Sequence, residues 1–482
     1  MFEINDLRSA MELLSHTGFP PEQVQYPVNP AIELIEDYLN AYRRPQGAFI
    51  ADEQPVRCYE MPTAGQFPVL MGVFGSRKRC RLFLDPSHQH PATVTDAELL
   101  FRAINHPIPP QKQVAALSDR VIVESPDLRR ILPTLTYTAG DPGPTITLGM
   151  VYARDDARGI ANCSVHRMTL KENRVTISIS RKSHLQRLLD LHVAEGKRLP
   201  VSINIGLDPA IYIASALGKP NVDFGFDELS VVGALRNQPV NIAPCFSHQG
   251  WFVDHAEITL EGSLGADREF ESPDKEQGYS MPEYLGYFSS CGLVSSLQIN
   301  LLTYRPNAVY QSVSGPGYEQ SALLGMAQEQ ALYSLLHSLD VKRSVREIVS
   351  LPSGGGHLMT VLQILKRELA DDQGILALGM ALLQRLSSLK NIILVDEDVN
   401  PHSADDILWA IATRSRLDSD IYATELLSGT ALDPTQSAFY AGEGVNGCTR
   451  KCVIDCTAPF EHRQRFRRAF AWDAKDVGDR DG

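Results

Sequence analysis

From about Val121 the chain is built of short runs rich in β-branched residues or alternating in polarity: TITLGMVYA, VTISISRK, LPVSINIG, HAEITLEGSL and SSLQINLLTYR. Such runs suit a half-buried pleated surface and are too short for helices, so the middle of the chain is predicted to be mostly antiparallel sheet. The flanking regions have a different period. On the amino side Asn29 is placed as an N-cap and Pro30 at the first helical position, with Ile32, Leu34, Ile35, Tyr38 and Leu39 at helical spacing. FPVLMGVFGSRKRCRLFL then reads as an apolar segment broken at Gly75 and followed by a basic helical turn. On the carboxyl side SALLGMAQEQALYSLLHSL is helical, and KNIILVDEDVN is a buried strand. Ser403 with Asp406 gives a capping signal for DILWAIATR.

The proline-rich stretch INHPIPPQKQ favours extended chain and marks a boundary. Three domains are therefore expected: residues 1–112 as α/β, 113–315 as the sheet-rich centre, and 316–482 as a second α/β region. A length of 482 residues agrees, at roughly 150 residues per domain.

Composition narrows the function. Lys and Arg number 45 against 58 Asp and Glu, a net charge of −13, which disfavours nucleic acid or any partner held by a basic surface. The longest apolar stretch, Ile375 to Leu383, is too short to span a bilayer. The amino terminus, with early acids and no basic segment before an apolar one, lacks the pattern of a secretory signal. Eight cysteines without framework spacing suit reduced thiols, so a cytoplasmic location is expected.

Asn162 in NCSVHRM, His184 in SRKSHLQRLL and Glu228 in FGFDELSVVGALR offer one amide oxygen, one imidazole and one carboxylate. With waters and a phosphate oxygen, that set favours manganese or magnesium over zinc. Taken alone, each is also an ordinary packing or surface residue.

The step from Asn162 to Arg167 resembles the cofactor signature of the UbiD-type decarboxylases, which use prenylated FMN. VLMGVFGSRKR, IGLDPA, ELSVVGALR, AEITLEG, YRPNAVYQ, ILVDEDVN, ILWAIATR and KCVIDCT follow in the order of similar family segments. The resemblance implies an amino-terminal α/β domain, a central split β-barrel that binds the cofactor, and a carboxy-terminal α/β domain used in oligomerisation. It implies that Asn162, His184 and Glu228 bind Mn2+ (or Mg2+), which clamps the cofactor phosphate, with K+ nearby. A metal anchor suits an acidic protein, because a cation supplies local charge without a basic cluster.

The resemblance further implies that Arg167 orients a substrate carboxylate and that Glu283, in PEYLGY, donates a proton. The family's other catalytic Glu lies five residues before the proton donor, where this chain has Gly278. Glu276, the nearest acid on that side, is the expected replacement, with a solvated loop carboxylate as the alternative. The implied reaction is reversible, non-oxidative decarboxylation of an α,β-unsaturated or (hetero)aromatic acid, in a homodimer or homohexamer supplied by a flavin prenyltransferase. A non-catalytic flavin-binding subunit and a flavin redox enzyme stay open as alternatives.

Other clusters read as structural. Cys448, Cys452 and Cys456 match no cluster spacing and are expected to be packing residues. SGGGH, ending at His357, reads as a turn between strand and helix, Asp396–Asn400 as a solvated loop, and His88 and His90 as a surface turn. Arg77, Lys78, Arg79 and Arg81 are expected to solvate a helix face.

Overall fold

The computed structural model describes residues 3–41, 53–218, 221–272, 279–314, 317–339, 341, 344–430, 433–436 and 447–469. The chain divides into two compact units, 1–327 and 328–482.

The first unit is organised by six antiparallel strands: β1 (Thr145–Asp155), β2 (Ile160–Leu170), β3 (Arg174–Ile177), β4 (Leu199–Ile205), β5 (Ile258–Phe270) and β6 (Leu293–Tyr304). They run β5-β4-β1-β2-β3-β6, and β6 pairs back onto β5 from Ile258↔Tyr304 to Phe270↔Leu293. The sheet is thus a closed barrel, which leaves these strands no free edge between them. The near-continuous burial of β1 follows from cover on both faces. Val151 and Ala153 pack in one core with Ile203 and Leu260. Leu148, Met150 and Tyr152 pack in another with Tyr212 and Ile213. At Gly262 a Cβ would lie 2.2 Å from the Gln298 carbonyl oxygen, so glycine permits the register shift between β5 and β6 there.

Three helices flank the barrel strands in sequence: α1 (His184–Ala194), α2 (Pro209–Ser215) and α3 (Leu229–Arg236). The amino-terminal segment belongs to the same unit. Strands Glu22–Val24, Arg57–Tyr59 and Val69–Met71 share a sheet with Tyr310–Gln311, which follows the barrel in sequence. Arg8 also pairs with the buried Glu257 at 2.8 and 2.9 Å.

The second unit holds a sheet ordered β7 (Val345–Ser350), β8 (Met359–Ile364), β9 (Asn391–Asp396), β11 (Cys452–Cys456) and β10 (Ile421–Ala423). Its three central strands are parallel. Period-two alternation sends Ile392 and Leu394 into one core and Ile393 and Val395 into the other. The unit also contains α4 (Asp371–Arg385) and α5 (Ala404–Arg414), the latter capped by Ser403 accepting from the Asp406 amide at 3.2 Å, as the sequence indicates.

Three local expectations are corrected. Asn29 does not cap a helix at Pro30: its Oδ1 accepts from Ala31 N, Ile32 takes φ +69°, and the helix begins at Glu33. A bridge between Ala31 and Thr136 claims that backbone first. SGGGH joins two antiparallel strands rather than a strand and a helix, because Gly355 and Gly356 at φ +65° and +77° turn the chain back. Arg79 is buried rather than solvated, donating to the carbonyls of Gln54, Gly72 and Val73. Those carbonyls satisfy the guanidinium in the absence of water.

Candidate active site

Strand β2 carries a directional polar ladder. Asn162 Nδ2 donates to Ser164 Oγ at 2.8 Å, and Ser164 Oγ lies 2.9 Å from His166 Nε2. His166 Nδ1 lies 3.1 Å from the Ser178 carbonyl, which can only accept. Nδ1 therefore holds the hydrogen, Nε2 accepts from Ser164, and the Asn162 amide is turned with Oδ1 away from the ladder. Burial pushes the His166 imidazole down to about 4, which keeps it neutral.

Glu228 meets the same strand. It precedes α3, does not cap it, and instead accepts from the backbone N–H of Cys163 at 2.8 Å. The loop before it also touches β2, Ala161 N donating to Gly225 O. His184 opens α1 behind the Ser183 cap and packs edge-on against Phe224, with ring centroids 5.8 Å apart. The 224–228 loop thus links the elements that carry all three expected metal ligands.

The chemistry of this donor set fits a cation. Glu228 is buried, and its proton affinity is driven far above the carboxylate range by desolvation, with Asp227 beside it adding to the effect. Asp227 already accepts from Tyr152 Oη and Arg154 Nη1, each at 2.8 Å. No arginine or lysine lies within ion-pair distance of Glu228 among the described residues. A divalent cation would supply the missing charge.

Arg167 has the opposite parity on β2. Across from it, β1 places two residues, Thr147 and Leu148, against one, a bulge of the kind that re-aims a side chain. Arg167 Nη1 donates to Glu283 Oε1. On its other edge Nε and Nη2 lie 3.3 and 3.5 Å from the two oxygens of Glu271. Glu283 is held by a tight hairpin turn, with its N–H on the Tyr287 carbonyl at 3.0 Å and its carbonyl accepting from Gly286 at 2.7 Å. Gly286, at φ +81°, supplies the left-handed residue this turn requires, which explains the Gly-Tyr pair after Glu283.

Burial raises the Glu283 carboxyl above the ordinary range. Arg167 opposes the shift, and the negative charge of Glu271 reinforces it. Side chains of Ser289 and Gln320 also bond to Glu283. The cluster is one guanidinium between two acids, with Glu283 biased toward holding a proton.

Comparison with known proteins gives this geometry a context. Residues 111–318 match the family model described as 3-octaprenyl-4-hydroxybenzoate carboxy-lyase Rift-related domain, and residues 321–456 match the C-terminal domain of the same carboxy-lyase. The chain belongs to the UbiD carboxy-lyase family. Among relatives, the gallate decarboxylase of Lactiplantibacillus plantarum is 30% identical over 413 residues, covering 83% of each chain. The UbiD-family fold extends along the whole molecule: a solved apo 3,4-dihydroxybenzoic acid decarboxylase from Enterobacter cloacae aligns at 32% identity and a TM-score of 0.87. That alignment covers 98% of this chain and 100% of that one. The UbiD-class enzyme HmfF from Pelotomaculum thermopropionicum, solved with FMN, aligns at 25% identity, a TM-score of 0.84 and 98% of both chains.

Within this UbiD-family protein, Arg167 and Glu283, both named from the sequence, are in contact. Glu276 lies outside the described residues. The second acid in contact with Arg167 is Glu271, which sequence reading missed. A search at the family's spacing from Glu283 passes over it, because it stands directly after β5, twelve residues before Glu283. The usable signal is its place directly after a barrel strand. Ser164 and His166 were also passed over, and their alternation with Asn162 on one strand was the available clue.

Proposed function

We propose that this protein catalyses reversible, non-oxidative decarboxylation of hydroxylated benzoic acids using prenylated FMN, with Arg167 holding the substrate carboxylate and Glu283 delivering the proton. The observation that carries the reading is the partly buried Glu271–Arg167–Glu283 cluster, with the proton affinity of Glu283 raised. The activities named for the gallate and 3,4-dihydroxybenzoic acid decarboxylases support the substrate class. HmfF, solved with FMN, supports a flavin.

Asn162, His184 and Glu228 are assigned to Mn2+ (or Mg2+), and with Arg167 to the cofactor's neighbourhood, with K+ close by. Asn162 would offer Oδ1, the atom its ladder leaves unused, and Glu228 the carboxylate that lacks a protein cation. When bound, prenylated FMN supplies the electron sink for the pair released as CO2 departs. The protein's part is positional and protolytic. Arg167 fixes the substrate carboxylate in a planar fork. The ring carbon–carboxylate bond breaks, and the vacated carbon takes the proton from the Glu283 carboxyl, which solvent then restores. Glu271 acts as a positioning residue: its charge keeps the guanidinium aligned and favours the protonated form of Glu283.

A flavin prenyltransferase is required as cofactor supplier, and a homodimer or homohexamer through the carboxy-terminal domain is proposed on the family pattern. Eight cysteines without framework spacing are consistent with a cytoplasmic, reducing location. No helix among the described residues is long and apolar enough to cross a membrane. The direct test is co-production with a flavin prenyltransferase followed by a screen of gallate, 3,4-dihydroxybenzoate and cinnamate-type acids for CO2 release without NAD(P)H. Release from the hydroxybenzoates supports the reading. Release only from non-phenolic acids would overturn the substrate class, and none from any acid by flavin-loaded protein would overturn the activity.

A further inference from the structure

On the barrel wall, away from Arg167 in sequence, the loop Cys245–Gly250 folds around one carboxylate. Glu261 of β5 is fully buried and accepts from Phe246 N at 3.0 Å, Ser247 N at 2.7 Å and Ser247 Oγ at 2.8 Å. Those three bonds leave carboxylate lone-pair capacity, and no arginine or lysine lies within ion-pair distance of Glu261 among the described residues. The loop is closed by Cys245 N on the Gly250 carbonyl and Gly250 N on the His248 carbonyl, each at 2.9 Å.

His248 sits in this loop with its ring nitrogens divided. Nε2 lies 3.2 Å from the Val201 carbonyl on β4, so it carries the hydrogen. Nδ1 is then the lone-pair nitrogen, and it is buried with no hydrogen-bond partner among the described residues. Gly250 makes room for the ring: a Cβ there would lie 2.6 Å from Cε1 and 2.7 Å from Nδ1. One donor atom of each of Cys245, His248 and Glu261 lies within 4.8 Å of the other two, and Cys245 is a free thiol.

We propose that Cys245, His248 and Glu261 form a second metal site, one that takes zinc-type divalent cations and pins the 245–250 loop to the barrel wall. Thiolate, imidazole and carboxylate together suit zinc, whereas the amide, imidazole and carboxylate of Asn162, His184 and Glu228 suit a harder ion. A neutral imidazole whose N–H is held by a backbone carbonyl is oriented as metal-binding histidines are. Cys245 enters as thiolate and gives its proton to solvent, and water completes a four-coordinate shell.

The test uses full-length protein produced without the prenyltransferase, stripped with a chelator and titrated with Co2+. Wild type is expected to develop a thiolate-to-cobalt charge-transfer band in the near ultraviolet that saturates within two equivalents, one for each metal set. Glu228→Gln, which disables the other metal set, retains the band. Cys245→Ala abolishes it, and His248→Ala weakens binding at least ~100-fold, no less than the loss of an outer-shell partner. Absence of the band in wild type, or its persistence in Cys245→Ala, overturns the proposal. Should Cys245→Ala fail to fold, undiminished affinity in His248→Ala, a change in a partly buried loop residue, overturns it equally.

Discussion

Both units of the molecule set arginines between acids, and one such cluster from each, at Arg414 and at Arg167, does different work. In the carboxy-terminal unit Arg414 donates to Asp396 at 2.8 Å, to both oxygens of Asp398 at 2.7 Å and to the Phe466 carbonyl at 2.9 Å. Asp396 in turn accepts from Ala458 N. In the barrel unit Arg167 makes one close bond, to Glu283, and stands at 3.3 and 3.5 Å from Glu271. The first cluster is a strut: each terminal guanidinium nitrogen makes two bonds, and Nε has no partner among the described residues. The second keeps loosely engaged donors and a carboxyl biased toward its protonated form, which is what binding an anion and giving up a proton require.

Breaking the chemical cluster should produce the largest effect. Glu283→Gln keeps the shape and removes the transferable proton, so kcat should fall about 10²–10⁴-fold with flavin content unchanged, measured by CO2 release and flavin absorbance. Next is Glu228→Gln, which withdraws the carboxylate from the proposed phosphate metal. Mn2+ affinity, measured by calorimetry, should fall at least ~10-fold. The same carboxylate must lose its proton to bind metal, so wild-type Mn2+ affinity should rise with pH.

The pH profile sharpens the comparison. Glu283 donates only while protonated, so kcat should decline as pH rises through its raised pKa. Glu271 contributes to that elevation, hence Glu271→Gln should move the alkaline limb to lower pH. The smallest effect on catalysis belongs to the strut. Arg414→Met should lower the unfolding midpoint by roughly 4–8 °C, for a loss of about 2 kcal/mol, and leave kcat as it is. A large fall in kcat there would erase the distinction between the clusters.

These clusters also show what a sequence can disclose. The barrel strands were legible because period-two runs report a pleated surface, and β9 because a parallel core makes a continuous apolar segment, whereas β8 was read as helix. Arg167 and Glu283 were legible through motifs in order. Glu271 was not, because its contact with Arg167 depends on where a strand ends rather than on a fixed count from Glu283. Arg79 misled for a related reason: among three other basic residues it looks solvated, and only the fold shows the carbonyls around it. The displaced start of the helix at Glu33 reflects a bridge to Thr136, about a hundred residues away, which no local capping signal can register.

The central claim is that Glu283, set beside Arg167, delivers the proton to the carbon that loses CO2. Deuterium exchange from D2O into catechol or pyrogallol, followed by NMR with prenylated-flavin-loaded protein, isolates that step from CO2 release. Wild type should exchange the single carbon para to the central hydroxyl of pyrogallol, or the two equivalent carbons of catechol, and Glu283→Gln should not, both retaining flavin. Exchange at the wild-type rate in Glu283→Gln would contradict the account.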